Sequence, residues 1–248
     1  MGTAPTIRRK TMKLKKAKMI YEGKAKKIYK TDNPDLLIQH FKDDATAFNA
    51  KKRGTIVNKG VMNNRISERL FLLLEKQGVK THFVERPSDR DMVVKKLDIV
   101  PIEVVVRNLI AGSMSKRLGI PEGTKAKKPI IEFYYKADAL DDPLINDDTA
   151  VALGWATPAD IKTIKAMTTK VNSVLKAFFL KRGLILVDFK LEFGKHKGKI
   201  LLGDEICPDT CRLWDAKTME KMDKDRFRRD LGGVEEAYIE VCKRVCDL

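Results

Sequence analysis

The segment 184-LILVDFKLEFGKHKGKILLGDEICPDTCR-212 decides the fold, and the rest of the chain is arranged around it. Apolar residues at positions 185, 187, 189, 191 and 193 alternate with Asp188, Lys190 and Glu192. Successive side chains of a strand point to opposite faces. The alternation therefore predicts a strand with one buried face and one face that carries two carboxylates and an ammonium group.

A polar turn bracketed by Gly194 and Gly198 leads into Lys199–Ile206, which we interpret as the returning strand of a hairpin. With pairing centred on residue 198, Asp204 lies opposite Glu192 and on the same face. Two carboxylates on neighbouring strands are oxygen ligands of the kind that Mg2+ uses when it also holds substrate phosphates. The hairpin is therefore predicted to form the floor of a phosphate-transfer site.

The composition is that of a folded, soluble protein. Hydrophobic residues make up 43% of the 248 residues and charged residues 34%. Charges interrupt every apolar run before it reaches the roughly 18 residues of a membrane span, so we expect a cytoplasmic protein with no membrane partner. The four cysteines form two C-x3-C pairs. Because Pro208 interrupts the first pair and the second lies on an apolar helix stripe, reduced thiols are favoured over zinc or a disulfide.

The net charge of +16 is unevenly distributed. Seven basic residues and no acidic residue lie in residues 1–18, which we interpret as a poorly ordered amino-terminal extension. Such a segment is compatible with binding to RNA or acidic surfaces, and equally with a transit-like segment. The remaining positive charge suits an enzyme whose substrates are all anionic, because a positive cleft speeds their capture.

Two subdomains are predicted, a β-rich one over residues 19–100 and an α+β one over 101–248. The turn Gly23–Lys26 supplies a flexible backbone and two ammonium groups, as a hairpin that covers phosphates requires, although the same pattern fits an ordinary exposed turn. Residues 92–108 predict two strands separated by a break at Pro101, where we place the boundary. Arg107 leaves the second strand before A-G-S, a pattern typical of either an anion site or a helix start.

The remaining segments predict helices and loops. Residues 61–77 and 158–182 show helical periodicity, and Thr157 caps the second of these helices. Residues 209–215 are predicted to form a loop in which Arg212 serves the phosphate site or lies on the surface. The charge cluster 223–230 is typical of a solvated helix.

Seven segments follow one another from about residue 19 to the carboxyl end. They are Y-x-G-K-A-K (21–26), K-K-L-D-I-V-P-I-E-V-V-V-R-N-x-x-A-G-S (95–113), K-A-D-x-x-D-D-P-x-x-N (136–146), L-V-D-F-K-L-E-F-G (186–194), G-D-E (203–205), P-D-T-x-R-L-W-D (208–215) and M-D-K-D-x-F-R (222–228). Together these segments resemble the SAICAR synthetase (phosphoribosylaminoimidazole-succinocarboxamide synthase) family. Cys207 stands where the family often has serine.

The resemblance implies a two-part α+β enzyme. Its amino-terminal antiparallel sheet would be similar to the small lobe of a protein kinase, and its cleft would be ATP-grasp-like. The implied reaction is an ATP-dependent ligation of purine biosynthesis. It joins 5-amino-1-(5-phosphoribosyl)imidazole-4-carboxylate, here called the ribotide carboxylate, to L-aspartate through an acyl phosphate. ATP and Mg2+ are the implied co-substrate and ion, and a homodimer is the implied assembly.

The resemblance also implies roles for individual residues. Lys190 would contact the reacting phosphate or carboxylate, and Asp188 would orient the substrate amine or ribose. The residues implied at the ATP site are Lys24, Ala25 and Lys26 over the phosphates and Ile28, Leu37 and Ile99 around the adenine. The implied Mg2+ ligands are Glu192 and Asp204. The residues implied to bind the phosphate and carboxylate of the ribotide are Arg107, Ser113 and Arg212, and Arg212 is also implied to be catalytic. Lys136, Asp138 and Asp209 are implied to be neighbours of the ribotide or aspartate site.

Two other classes of function stay open on the residues alone. A small-molecule kinase would share the G-K-A-K turn and the two carboxylates, but it would need neither the A-G-S segment nor L-aspartate. A nucleic-acid-binding protein would use the net charge instead. Its RNA binding would fall steeply with salt and would survive loss of the Glu192 carboxylate.

Overall fold

The computed structural model describes residues 14–47 and 52–247. The strands of these residues are β1 Met19–Glu22, β2 Lys26–Lys30, β3 Leu36–Phe41, β4 Asp44–Ala47, β5 Lys52–Thr55, β6 Phe83–Glu85, β7 Asp91–Lys95, β8 Asp98–Leu109, β9 Lys125–Tyr135, β10 Leu144–Ile145, β11 Leu184–His196, β12 Lys199–Leu202 and β13 Cys211–Asp215. The helices are α1 Lys59–Lys76, α2 Gly112–Leu118, α3 Asp147–Ala152, α4 Pro158–Leu180, α5 Asp225–Arg228 and α6 Val234–Cys246.

The first sheet is antiparallel, with the strand order β1-β2-β3-β7-β6. Its β1–β2 hairpin turns at residues 23–25, where the Gly23 amide donates to the Lys26 carbonyl at 2.9 Å. Phe41, Met92 and Val94 of this sheet are buried against α1 in the main hydrophobic core. The three strands predicted over residues 19–41 are confirmed.

The second sheet has the order β10-β9-β8-β11-β12, and β13 pairs with the other part of β11. β11 is therefore the central strand, with β8 along one side and the two short strands along the other. The long helix α4 packs on β11, and Thr157 forms a capping box with Asp160 at its start, as predicted. The predicted α+β class is confirmed.

The prediction that β11 has a single apolar face was wrong. Leu186 pairs with Leu213 and Asp188 pairs with Arg212, so Val187 is an extra residue in a β-bulge. A bulge reverses the alternation of side chains beyond it. The residues of β11 in the main core are Leu184, Leu186, Phe189, Leu191 and Phe193, whereas Val187 packs in a separate cluster with Ala111 and Trp214.

The hairpin is also centred half a residue earlier than predicted. His196 pairs with Lys199, which places the turn at residues 197–198 and puts Gly203 opposite Glu192. β12 ends at Leu202, so the predicted strand Lys199–Ile206 is too long. Asp204 follows β12 with a φ of 59°, in the left-handed region. Asp204 therefore projects from a loop and does not pair directly with Glu192 across the ladder.

The predicted strand break at Pro101 was wrong, because β8 runs through this residue. The register between β8 and β11 shifts between Gly194 and Glu192, where β8 carries extra residues that include Pro101. A proline is tolerated at such an irregularity because no ladder hydrogen bond needs its missing N–H. The two sheets are connected through Lys96–Leu97, and the His82 amide also donates to the Leu202 carbonyl at 2.8 Å. The predicted division at residues 100 and 101 stays a prediction.

Residues 1–13 of the predicted amino-terminal extension lie outside the described residues. Residues 14–18 run beside the first sheet, where the Ala17 amide donates to the Lys30 carbonyl and Lys16 pairs with Asp91. All four cysteines are free thiols. Over residues 14–47 and 52–247, the helices are too short or too polar to cross a membrane.

Candidate active site

A cleft with three adjoining cavities runs between the two sheets and along β11. The first cavity, of about 710 Å³, lies between the β1–β2 hairpin and the charged face of β8 and β11. The second, of about 290 Å³, shares Glu103, Lys190 and Asp209 with the first. The third, of about 650 Å³, shares Ser113 and Arg212 with the second. Because Val187 is an extra residue in the bulge, Asp188 and Leu186 point to opposite faces of β11. Asp188 therefore points into the cleft, whereas Leu186 points into the core.

The β1–β2 hairpin forms one wall of the first cavity through Lys24, Ala25 and Lys26. Lys26 makes ion pairs with Asp204 and Glu205 of the loop that follows β12. Lys24 donates to Asp138 at 2.9 Å across the mouth of the cavity. The two lysines of the predicted phosphate-covering turn therefore point into the cleft.

The floor of the first cavity carries Glu192 and Lys190. Glu192 pairs with Lys136 and lies 3.8 Å from the Lys190 ammonium, which also donates to Glu103 at 2.7 Å. Burial alone would raise the pKa of Glu192, but Lys190, Lys136 and Lys26 lower it to about 2. Burial opposes the charge of Lys190, yet Glu103 and Glu192 raise its pKa above the ordinary value. The floor therefore holds charged groups of both signs throughout the physiological pH range.

Arg107 and Asp188 form the centre of the second cavity. Arg107 is 3% exposed and donates to Glu132 and Asp188 at 2.7 Å each, and to Ser113 at 3.2 Å. Asp188 also accepts from Arg212, so both of its oxygens are already engaged by arginine donors. The residues predicted to bind the ribotide are therefore brought together, with Asp188 as the carboxylate that aligns them.

Arg212 connects the second cavity to the third and lies on β13, so the loop predicted over 209–215 is a strand from Cys211 onward. Its Nε donates to Asp225 at 2.9 Å, and Arg228 donates to the other Asp225 oxygen at 2.6 Å. Burial would raise the pKa of Asp225, but Arg212 and Arg228 lower it to about 2. The buried Asp225 carboxylate therefore holds Arg212 and Arg228 in place in the lining of the third cavity.

The prediction of a solvated helix over residues 223–230 was wrong. Asp223 and Asp225 are 0% and 1% exposed, and only Asp225–Arg228 is helical. Asp223 accepts hydrogen bonds from the Leu213 and Asp225 amides at 2.8 and 2.7 Å. Asp223, Lys224 and Asp225 are buried, whereas Arg229 and Asp230 at the end of the cluster are exposed. Asp223 and Asp225 are buried because they bond to β13 and to their neighbours in the cluster, which a charge pattern along the chain does not reveal.

Gly112 is required where α2 meets Arg212. Its φ is +57°, and a Cβ at this position would lie 2.7 Å from the guanidinium carbon of Arg212. Glycine supplies both the left-handed backbone and the space for the arginine. The glycine of the predicted A-G-S segment therefore allows Arg212 to approach Ser113.

Three of the predicted ATP residues lie outside the lining of the three cavities. Ile28 is half-buried on β2, Leu37 packs against the main core, and Ile99 is 48% exposed beside Gly194. Their predicted role around an adenine stays a prediction. Conversely, the cavities are lined by charged residues that the sequence did not single out, among them Glu103, Glu205, Lys224, Arg228 and Arg229.

The donor set fits Mg2+ at the first cavity. Glu192 and Asp204 both line it, both are carboxylates, and each is neutralised by a lysine. Over the described part of the chain, His, Cys, Asp and Glu side chains form no group of three that could hold a metal. One or two carboxylates are sufficient for Mg2+ when substrate phosphates and water complete its ligands.

The protein has an α+β fold with a cleft between two antiparallel sheets, and the cleft is lined by charged side chains of both signs. The family model for SAICAR synthetase matches residues 19–245 of the chain. The chain therefore belongs to the SAICAR synthetase family, which comprises ATP-dependent ligases of purine biosynthesis.

Individual relatives agree with this assignment. The chain is 63% identical to a phosphoribosylaminoimidazole-succinocarboxamide synthase of Pelodictyon phaeoclathratiforme, over 95% of this chain and 100% of that protein. The crystal structure of the corresponding Ehrlichia chaffeensis synthase has a TM-score of 0.91 at 48% identity, covering 93% of this chain and 99% of the other. A SAICAR synthetase in complex with ADP has a TM-score of 0.89 at 52% identity, covering 92% and 97%.

Proposed function

We propose that the chain joins the ribotide carboxylate to L-aspartate with ATP, releasing SAICAR, ADP and phosphate. The observation that carries this proposal is the meeting of two cavities at Lys190. The first is lined by the lysine hairpin and two carboxylates, and the second is lined by Arg107, Ser113 and Arg212. A phosphoryl donor and an anionic acceptor bound in these cavities would have their reacting groups adjacent.

The chemistry explains why ATP is needed. A carboxylate is a poor acyl donor because its leaving group would be oxide. Transfer of the γ-phosphoryl group to a carboxylate oxygen gives an acyl phosphate, from which phosphate leaves readily. The aspartate amine then attacks the carbonyl carbon, the C–N bond forms, and the C–O bond to phosphate breaks.

On the ATP side, Lys24 and Lys26 of the β1–β2 hairpin bind the phosphates and Ala25 lets the backbone approach them. Lys26 can exchange its partners Asp204 and Glu205 for phosphate oxygens. Ile28, Leu37 and Ile99 are retained as the adenine contacts. Lys190, held cationic by Glu103, stabilises the charge on the phosphoryl group in transfer.

Glu192 and Asp204 would hold Mg2+, which would neutralise charge on the phosphates when bound. The residues of the chain prepare these two ligands. Lys136 and Lys190 keep Glu192 ionised, and Lys26 pairs with Asp204 in the absence of the ion. Lys26, Lys136 and Lys190 therefore balance the negative charges of Glu192 and Asp204.

On the acceptor side, Arg107, Ser113 and Arg212 bind the phosphate and carboxylate of the ribotide. Asp188 holds the two guanidinium groups in register and orients the amine or ribose. Lys136, Asp138 and Asp209 are the proposed neighbours of the aspartate or ribotide; Asp209 is placed where the first two cavities join.

The test is a coupled assay of ADP release in which ATP, the ribotide carboxylate and L-aspartate are omitted one at a time. We expect SAICAR only with all three substrates present. ADP release at full rate without L-aspartate would instead indicate a kinase. Omission of Mg2+ from the complete mixture tests the ion requirement, and we expect activity to be lost.

We further propose a cytoplasmic homodimer, as the family resemblance implies. Sedimentation equilibrium on the full chain measures the assembly directly. A dimer mass at micromolar concentration supports it, and a monomer mass at assay concentration contradicts it.

A further inference from the structure

Asp209, at the junction of the first two cavities, is held from behind by two residues on different helices. Lys59 of α1 donates to Asp209 Oδ2 at 2.6 Å, and the hydroxyl of Tyr238 of α6 donates to Asp209 Oδ1 at 2.6 Å. The Lys59 and Tyr238 side chains are 0% exposed, so neither can touch a substrate. Asp209 lines both cavities and is 8% exposed.

We propose that Lys59 and Tyr238 are positioning residues. They fix the Asp209 carboxylate in one orientation at the point where the first and second cavities meet. The inference rests on the proposed function, because it assigns Asp209 to the substrate site. Each carboxylate oxygen accepts one hydrogen bond from behind and keeps a second lone pair. These lone pairs are the acceptors available to an N–H group of a substrate in the cleft.

The placement of Lys59, Tyr238 and Asp209 favours a role in orienting the carboxylate over a role in the stability of the fold alone. α1 and α6 pack against each other, so one helix pair supplies both donors. Ser67 of α1 also donates to the Ile206 carbonyl at 3.2 Å, which anchors the loop before Asp209. The orientation of a carboxylate in the cleft is thus set by two helices that do not line it.

Charge supports the same conclusion. Burial would raise the pKa of Asp209, but Lys224 and Lys59 lower it well below its usual range, as does the hydrogen bond from Tyr238. The other ionisable groups near this cluster are Glu205, Cys207, Asp223 and Arg228. Lys224 is 8% exposed and lines the first cavity beside Asp209.

The first test is a double-mutant cycle on the full chain in the three-substrate assay. Tyr238→Phe keeps the ring and removes only the hydroxyl. We expect kcat/KM to fall about tenfold, the range for loss of a hydrogen bond to a charged group. In the Asp209→Asn background the same substitution should cause no further loss, because its effect passes through the carboxylate. Tyr135→Phe is the matched control, since Tyr135 lies outside the cavity linings.

Two results of the cycle would overturn the proposal: an unchanged kcat/KM in Tyr238→Phe, or an equal loss in both backgrounds.

The second test uses Lys59→Met, alone and with Asp209→Asn. Loss of the Lys59 charge raises the pKa of Asp209, so we expect the acid limb of the kcat/KM profile to move to higher pH in the single variant. The double variant removes both charges of the Lys59–Asp209 pair, so we expect it to be less destabilised than Lys59→Met alone.

An acid limb that does not move in Lys59→Met, or one that moves equally in the double variant, would also overturn the proposal. If Lys59→Met alone does not fold, the Tyr238→Phe cycle decides by itself. Failure of the proposed function looks different. The unmodified chain would then make no SAICAR from its three substrates, whatever the variants do.

Discussion

Asp188 and Arg212 lie directly opposite each other on β11 and β13, and the Arg212 Nη1 donates to both oxygens of Asp188, at 3.0 and 2.9 Å. This pairing depends on the bulge at Val187, which directs Asp188 away from the core. Arg107 reaches the same carboxylate from β8 at 2.7 Å. The buried Asp188 carboxylate therefore aligns the guanidinium groups of Arg107 and Arg212 in the second cavity.

Substitution of Asp188 tests this alignment. Asp188→Asn leaves the buried Arg107 and the partly buried Arg212 with one charged partner fewer, so we expect the free energy of unfolding to fall by about 3 kcal/mol. Urea denaturation measures the change. Asp32→Asn, at an exposed site, should alter it by no more than about 0.5 kcal/mol. Equal effects of the two substitutions would show that the buried pairing contributes nothing to stability.

Gly112 and Gly119 form a matched pair for testing the approach of Arg212. Both have left-handed φ angles, of +57° and +65°, but only Gly112 faces the guanidinium group. Gly119→Ala should cost about 1 kcal/mol of stability through its backbone alone. Gly112→Ala should cost more and also lower kcat/KM about tenfold or more, because the methyl group displaces Arg212. Steady-state kinetics on both variants check this, and equal kinetics would contradict it.

Glu192→Gln tests the proposed metal site. The amide keeps the shape of the side chain but removes the charge that a divalent ion requires. We expect kcat to fall about a hundredfold and the Mg2+ concentration for half-maximal rate to rise. The exposed Glu236→Gln is the control. A variant at Glu192 with the normal response to Mg2+ would rule out this residue as a ligand.

Glu122 provides a pH-dependent contribution to stability. Arg229 donates to both of its oxygens, at 2.9 and 2.5 Å, and lowers the pKa of Glu122 to about 2 against the opposing effect of burial. A depressed carboxyl pKa stabilises the fold above the unfolded value near 4.5, and this contribution is lost as pH falls toward 2. Between pH 5 and pH 3, we expect Glu122→Gln to lose about 1 kcal/mol less stability than the unmodified chain.

Urea midpoints at the two pH values measure this difference. Glu236→Gln, which changes an exposed carboxylate, should follow the unmodified chain. An identical acid dependence in Glu122→Gln would show that the Arg229 pairing is not linked to folding.

The sequence predicted those features that depend on local pattern. The first three strands, the capped helix α4 and the charged face around Lys190 and Glu192 all follow from spacing and are present. The features it missed depend on pairing between distant segments. The bulge at Val187 is defined only by its partner strand β13, and the proline of β8 is tolerated only because of an irregularity facing β11.

The same limit applies to the site. The sequence predicted that Asp225 belongs to a solvated charge cluster, because nothing near it in the chain indicates that Arg212 is its partner. Lys59 lies just before the helix predicted over residues 61–77, and the sequence assigned it no partner, although its ammonium group is buried on Asp209, 150 residues away in sequence. Long-range ion pairs decide which charges are buried, and periodicity carries no information about them.

In the proposed mechanism, ATP phosphorylates the ribotide carboxylate before the amide bond with L-aspartate forms. The direct measurement uses the ribotide carboxylate labelled with oxygen-18 in both carboxylate oxygens, with ATP, Mg2+ and L-aspartate. Phosphoryl transfer places one labelled oxygen between carbon and phosphorus, and it leaves with phosphate when the amine attacks. We predict one oxygen-18 atom in each phosphate released, detected by mass spectrometry. Phosphate without label, formed at the same rate as SAICAR, would contradict the account.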